Sequence, residues 1–184
     1  VDVIYTVVPV SGSNCEGDPF TVTVTVNPEP VVANQTTTVC SDETLGFTLA
    51  NDLNGPDVAS YNLTNITANG LTAASGNTSL QNGLSSDAIS NDSWNNITGT
   101  ALDVVYTFIP VGDNGCLGDP FTVTVTVNPE PVVANQTTTV CSDEALGYIL
   151  ANDIDTPNVA SYNLTNIVDN GLIPASGNIV IQNG

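Results

Sequence analysis

Residues 20–26 read FTVTVTV, a strict alternation that sends Val22, Val24 and Val26 to one side and Thr21, Thr23 and Thr25 to the other. Period two is the mark of a half-buried β-strand, because successive side chains leave opposite faces of the pleat. Residues 3–8 (VIYTVV) and 104–109 (VVYTFI) are also rich in β-branched and aromatic side chains. Each runs through a Gly-, Asn- and Asp-rich turn near Cys15 or Cys116 into an alternating run, which predicts a β-hairpin. Residues 31–39, 45–50 and 59–66 are further strand candidates. Residues 67–101, rich in Asn, Gly and Ser, are expected to hold two or three short strands among long loops. No segment carries a convincing helical pattern. Seven or so strands, turn signals about every 8–12 residues and a lone Trp94 predict an all-β, Ig-like sandwich.

The pattern repeats. Residues 17–43 read GDPFTVTVTVNPEPVVANQTTTVCSDE, and residues 118–144 repeat them without a change. Cys15 and Cys116 lie 101 positions apart, as do Cys40 and Cys141, and Tyr5 and Tyr106. ASYNLTNI at 59–66 recurs at 160–167, and QNG at 81–83 recurs at 182–184. A period near 100 residues exceeds the ~20–50 residues of a solenoid unit and matches one small sandwich domain. The junctions fall at NPEP, residues 27–30 and 128–131, because two prolines in four residues cannot sit in a central strand and stiffen a connector. The expected layout is the C-terminal part of a preceding repeat at 1–27, a complete repeat at 28–128, and the N-terminal part of a following repeat at 129–184. Further copies are expected beyond both ends.

Composition then removes whole classes of function. The 184 residues include no Lys, Arg or His, and 19 acidic residues set the formal charge at −19. Nucleic-acid binding and attraction to an anionic bilayer both depend on the missing cations, so neither partner is expected. No apolar run is long enough to span a bilayer, and direct membrane insertion is not expected. A phosphate-cradling loop would lack its Lys, and a Ser-His-Asp or Cys-His site its base. Paired carboxylates of a glycosidase type remain conceivable chemically, but the acids sit in repeated turns with few aromatics to stack sugars, so no enzymatic activity is expected. Disorder is disfavoured by a 41% apolar fraction crowded with Val and Ile. Without Lys, intramolecular Lys–Asn isopeptide crosslinks cannot form.

TVTVTVNPEPVVANQTTTVCS, together with VVYTFIPVGDNGCLGDPFTVTVTVNP, resembles the PKD-like and Ig-like repeats of giant bacterial surface adhesins, of the gliding-motility type exported by type IX secretion. The resemblance spans essentially the whole chain and is weakest between Thr67 and Thr100. It implies tandem PKD-like sandwiches in an extended array, a stalk on the outside of a Gram-negative cell, with attachment or gliding as its purpose. It brings no catalytic residues. Neighbouring repeats are the expected partners, together with a surface polysaccharide or other adhesion target. The alternatives are a glycan- or protein-binding module that uses loops in 67–101, and a subunit of a multi-chain filament joined through strand edges.

Four cysteines at two equivalent positions suit an oxidising compartment. Cys15 and Cys40 are separated by two extended runs and a stiff connector, too far for a disulfide whose Cα atoms must approach within about 7 Å. Cys40 with Cys116 is the favoured pairing, leaving Cys15 and Cys141 to pair outside the window; a clasp between neighbouring domains and free thiols are the alternatives. Asp52, Asn54 and Asp57 in NDLNGPD, with Asp153, Asp155 and Asn158 in NDIDTPN, offer oxygens on a turn and are the candidate Ca²⁺ ligands. Turn formation alone also explains Asp and Asn there.

Overall fold

The computed structural model describes residues 1–51, 55–151 and 157–173. Nine strands occur in chain order: β1 (Asp2–Val7), β2 (Phe20–Thr25), β3 (Gln35–Cys40), β4 (Val58–Thr67), β5 (Thr72–Ala73), β6 (Gln81–Leu84), β7 (Trp94–Asn95), β8 (Leu102–Gly112) and β9 (Phe121–Asn128). No helix occurs among the described residues, and the chain is all-β. β1 and β2 form a two-stranded antiparallel hairpin. The main sheet has the order β3-β9-β8-β4-β6, and β5 pairs with β7 in a second layer.

The alternation in β9 does what the sequence predicts. Phe121, Val123, Val125 and Val127 are buried, while the intervening threonines are only partly covered. β8 presents Val104, Tyr106 and Phe108 to the same core, and β4 adds Tyr61 and Leu63. The facing layer supplies Leu45, Leu49, Leu71, Ile89 and Trp94. Tyr106, Phe108 and Phe121 stack in succession, and Tyr61 meets Phe108 and Phe121 edge-on at 6.3 and 6.0 Å. Such ring pairs add about 0.5–1.5 kcal/mol each beyond burial of their area.

Two expectations change. Residues 45–50 form no strand: Leu45, Gly46 and Leu49 donate singly to carbonyls of Asp92, Ser90 and Ser86, following a chain of tight turns rather than a neighbouring strand. The strand expected over 31–39 starts only at Gln35, because Pro28 and Pro30 hold the preceding connector. Its pairing is parallel, to β9, with Gln35 opposite Val123 and Cys40 opposite Asn128.

Identical sequences take different roles along the chain. FTVTVT forms β2 with Val22 43% exposed, and lies within β9 with Val123 fully buried. QTTTVC is β3 at 35–40, yet residues 136–141 form no strand. Leu49 is 3% exposed, whereas its counterpart Leu150 is 53% exposed. The local features do recur. Asp42 and Asp143 both hold positive φ, and Glu43 and Glu144 close the same turn onto Cys40 and Cys141. Tyr61 donates to the Ala50 carbonyl, and Tyr162 to that of Ala151. Local turns follow from local sequence; the parallel ladder of β3 needs a strand 88 residues further along the chain, which residues 28–128 contain.

Candidate functional site

The two ends of the 28–128 unit are built differently. At the end where the chain enters, the β8–β9 hairpin closes through the Gly112 N–H to Cys116 carbonyl bond at 2.9 Å and the Gly118 N–H to Pro110 carbonyl bond at 2.9 Å. The connector docks on this turn. Asn114 donates its amide to the Pro28 carbonyl at 3.0 Å, and Pro30 is fully buried. Gly118 makes room for it, since a Cβ there would overlap the Pro30 carbonyl oxygen and crowd the Pro110 ring. Asn34 then accepts from the Thr122 N–H at 2.8 Å, aligning the chain into β3 beside β9. At the exit end, the Ser41 N–H donates to the Asn128 carbonyl at 2.8 Å, and the Ser41 hydroxyl accepts from the Asn96 N–H. Asn96 reaches the Val127 carbonyl at 2.8 Å. First and last strands thus end side by side, each pinned by buried polar contacts.

Gly118→Ala is therefore expected to destabilise the unit by about 2–3 kcal/mol, because backbone must move. Gly17→Ala is the matched control. Its Cβ would meet the edge of the Pro9 ring at 3.0 Å, and the nearest backbone atom, the Pro9 carbonyl oxygen, only at 3.7 Å. Thermal melts followed by Trp94 fluorescence should show the first shift and no second one.

Between the ends lies a buried polar chain. The Trp94 indole N–H donates to the Tyr106 hydroxyl at 2.7 Å, and that hydroxyl donates to Asp92 Oδ2 at 2.8 Å. Asp92 Oδ1 accepts from the Thr78 N–H at 2.7 Å. Burial pushes the Tyr106 phenol far above its ordinary range, and the Asp92 carboxylate reinforces this, so the phenol stays a neutral donor. Sequence reasoning missed Asp92 entirely. It sits in a polar run, and positions 84–101 occur only once in the chain, so the repeat could not mark it.

The structure separates the favoured cysteine pair. Cys40 faces Asn128 at the exit end of β9, while Cys116 lies in the turn before Phe121, at the entry end. Eight residues of extended strand, roughly 25 Å, stand between those ends. A bridge of at most about 7 Å between Cα atoms cannot cross that gap. All four cysteines are free thiols here, with Cys15, Cys40 and Cys141 exposed.

Of the Ca²⁺ candidates, Asp52, Asn54, Asp153 and Asp155 lie outside the described residues. Asp57 accepts from the Asn51 amide at 3.2 Å, and Asn51 in turn accepts from the Val58 N–H at 2.9 Å, so Asp57 serves a turn. Asn158 is described and holds a contact of its own. No cluster of three His, Cys, Asp or Glu side chains suited to a metal occurs among the described residues. A shallow groove lined by Leu49, Asn51, Val58, Tyr61 and Ser86 contains one titratable group, Tyr61, whose hydroxyl is engaged with Ala50.

The sequence model of the PKD-like domain matches residues 1–30 and 37–131, well over half of the chain. No curated protein matches it.

Proposed function

The chain belongs to the PKD-like domain family, and from that premise we propose that it is a force-bearing segment of an extracellular stalk. Repeats of 101 residues follow one another end to end in this reading, and 1–27 and 129–184 are parts of the copies on either side of 28–128. The stalk belongs to a large, repetitive cell-surface adhesin that serves attachment or gliding, and the chain performs no catalytic step.

One observation carries the proposal. The chain enters the 28–128 unit at the β8–β9 turn and leaves it at the opposite end, beside Cys40. Copies joined this way extend the array instead of folding back on it. Tension between entry and exit pulls β3 and β9 in opposite senses along their shared ladder. Because these strands are parallel neighbours, the bonds from Gln35–Val123 to Cys40–Asn128 are loaded together. They must shear as a group; an unzipping geometry would open them one at a time. The exposed apolar faces of β1–β2 and of residues 140–173 are, on this reading, covered by the missing strands of their own repeats. The negative surface keeps adjacent stalks apart.

Stretching single molecules of the native protein under reducing conditions tests this. Equal unfolding events are expected, each releasing about 330 Å, the extended length of 101 residues less the folded span. Smooth extension at low force, or irregular spacing, would overturn the proposal.

A further inference from the structure

We infer that the cysteines form a disulfide between successive repeats: Cys40 of one copy bonds to the equivalent of Cys116 in the next. The inference rests on the end-to-end array proposed above.

Placement carries it. Cys40 is at the exit end of its unit, directly across the ladder from Asn128, with Ser41 bonded to the Asn128 carbonyl. Cys116 is at the entry end. Its N–H donates to Asn114 Oδ1 at 2.9 Å, and the Asn114 amide donates to the Pro28 carbonyl at 3.0 Å. Pro28 directly follows Asn27, the counterpart of Asn128 one repeat earlier. At every junction, then, the same Asn-Pro step touches the Cys40 position of the repeat behind and the Cys116 turn of the repeat ahead. The connector that holds the two units together also brings the two thiols to one place.

The free thiols of the chain follow from this register. Cys116 would pair with the Cys40 position of the copy before it, and Cys40 with position 217 of the copy after it. Neither partner lies within residues 1–184. Cys15 and Cys141 are likewise half-pairs of other junctions. Cys40 is exposed and Cys116 half-buried, so neither sulfur is sealed in a core that a bridge would have to disrupt.

The chemistry is thiol–disulfide exchange with a disulfide-donating oxidoreductase of an oxidising compartment. One cysteine thiolate attacks the donor disulfide and expels a donor thiolate, giving a mixed disulfide. The second cysteine thiolate then attacks the protein sulfur of that bond and expels the other donor thiolate. Two protein thiols lose two electrons and two protons, and the donor ends as a dithiol.

The bond changes how far the array can stretch, which makes it testable on the native protein. Thiols are first blocked by alkylation without reductant, and the linked peptides are mapped. A crosslink joining Cys40-type and Cys116-type peptides is expected. Single molecules are then stretched before and after reduction. With junction bonds in place, the shortest covalent path runs the 25 residues from Cys116 to Cys141 and then crosses a disulfide, so 25 residues serve two repeats, about 45 Å extended per repeat. Reduction raises it to 101 residues, about 365 Å. A bond within one repeat would instead use those 25 residues on every single repeat, about 90 Å, and would overturn the inference. Complete alkylation of all cysteines, with regular 101-residue events, would overturn it while leaving the array intact. Loss of regular spacing after reduction would strike the array itself and the inference with it.

Discussion

Asp92→Ala is expected to lower the unfolding free energy of the 28–128 unit by about 3–5 kcal/mol. The substitution strands the buried Tyr106 hydroxyl and the partly buried Thr78 N–H, both of which donate to this carboxylate. A buried donor left unpaired costs about 1–3 kcal/mol, and bonds to a charged acceptor stand at the upper end of the scale. The disturbance spreads, because Tyr106 also receives the Trp94 indole and the Thr78 hydroxyl lies 2.6 Å from the Ala88 carbonyl. A domain of this size is stable by only about 5–15 kcal/mol, so the variant should sit near the folding threshold. Asp92→Asn keeps an acceptor oxygen and should lose about 1–2 kcal/mol. Trp94 is the sole tryptophan of the chain, so urea titration followed by its fluorescence reports this unit alone. A loss below about 1 kcal/mol for the alanine variant would mean that water already reaches the network.

The strands of the β8–β9 hairpin were legible in the sequence for a physical reason. Their alternation is strict, their turn is compact, and both strands pair with a near neighbour in the chain. Residues 59–66 were legible for their β-branched and aromatic content, and they appear as most of β4. What stayed hidden depends on contacts far apart in sequence. The parallel pairing of β3 with β9 joins residues 88 positions apart, and nothing local in QTTTVC announces it. The second copy of that segment forms no strand among the described residues, which shows how little of the ladder is encoded locally. Residues 45–50 look like a strand because Leu45, Phe47 and Leu49 alternate with other residues. In the fold, Leu45 and Leu49 do face the core, but their backbone follows the turns of residues 85–92. Period two marked the buried side chains correctly and the backbone pairing wrongly.

The cysteines teach the same lesson at the candidate site. Spacing in the chain favoured Cys40 with Cys116, since both belong to one repeat. Direction along the sheet decides otherwise, because β3 and β9 run the same way and place the two residues at opposite ends. Equivalence of position was readable in the sequence; which end of a unit each position occupies was not. The same distinction underlies the proposed junction, where Asn114 reaches the Pro28 carbonyl across 86 residues and Gly118 lies against Pro30.

Cutting the chain has the second large effect. Residues 28–128 contain every strand of the main sheet and of the β5–β7 layer, together with the whole buried core. Residues 1–27 keep only a hairpin with its apolar face uncovered, and isolated two-stranded hairpins are marginal in water. Residues 129–184 carry no strand among those described. Removing both flanks should therefore leave the cooperative transition intact, while each flank by itself should show none. The measurement is calorimetry with Trp94 fluorescence on residues 28–128 and on residues 1–184. The expected result is one shared transition whose midpoints differ by less than the roughly 4 °C that 1 kcal/mol produces in a domain of this size. A truncated chain that is unfolded, or that melts far below the longer one, would show that the flanks belong to a single body, and the account of separate repeats in series would be wrong.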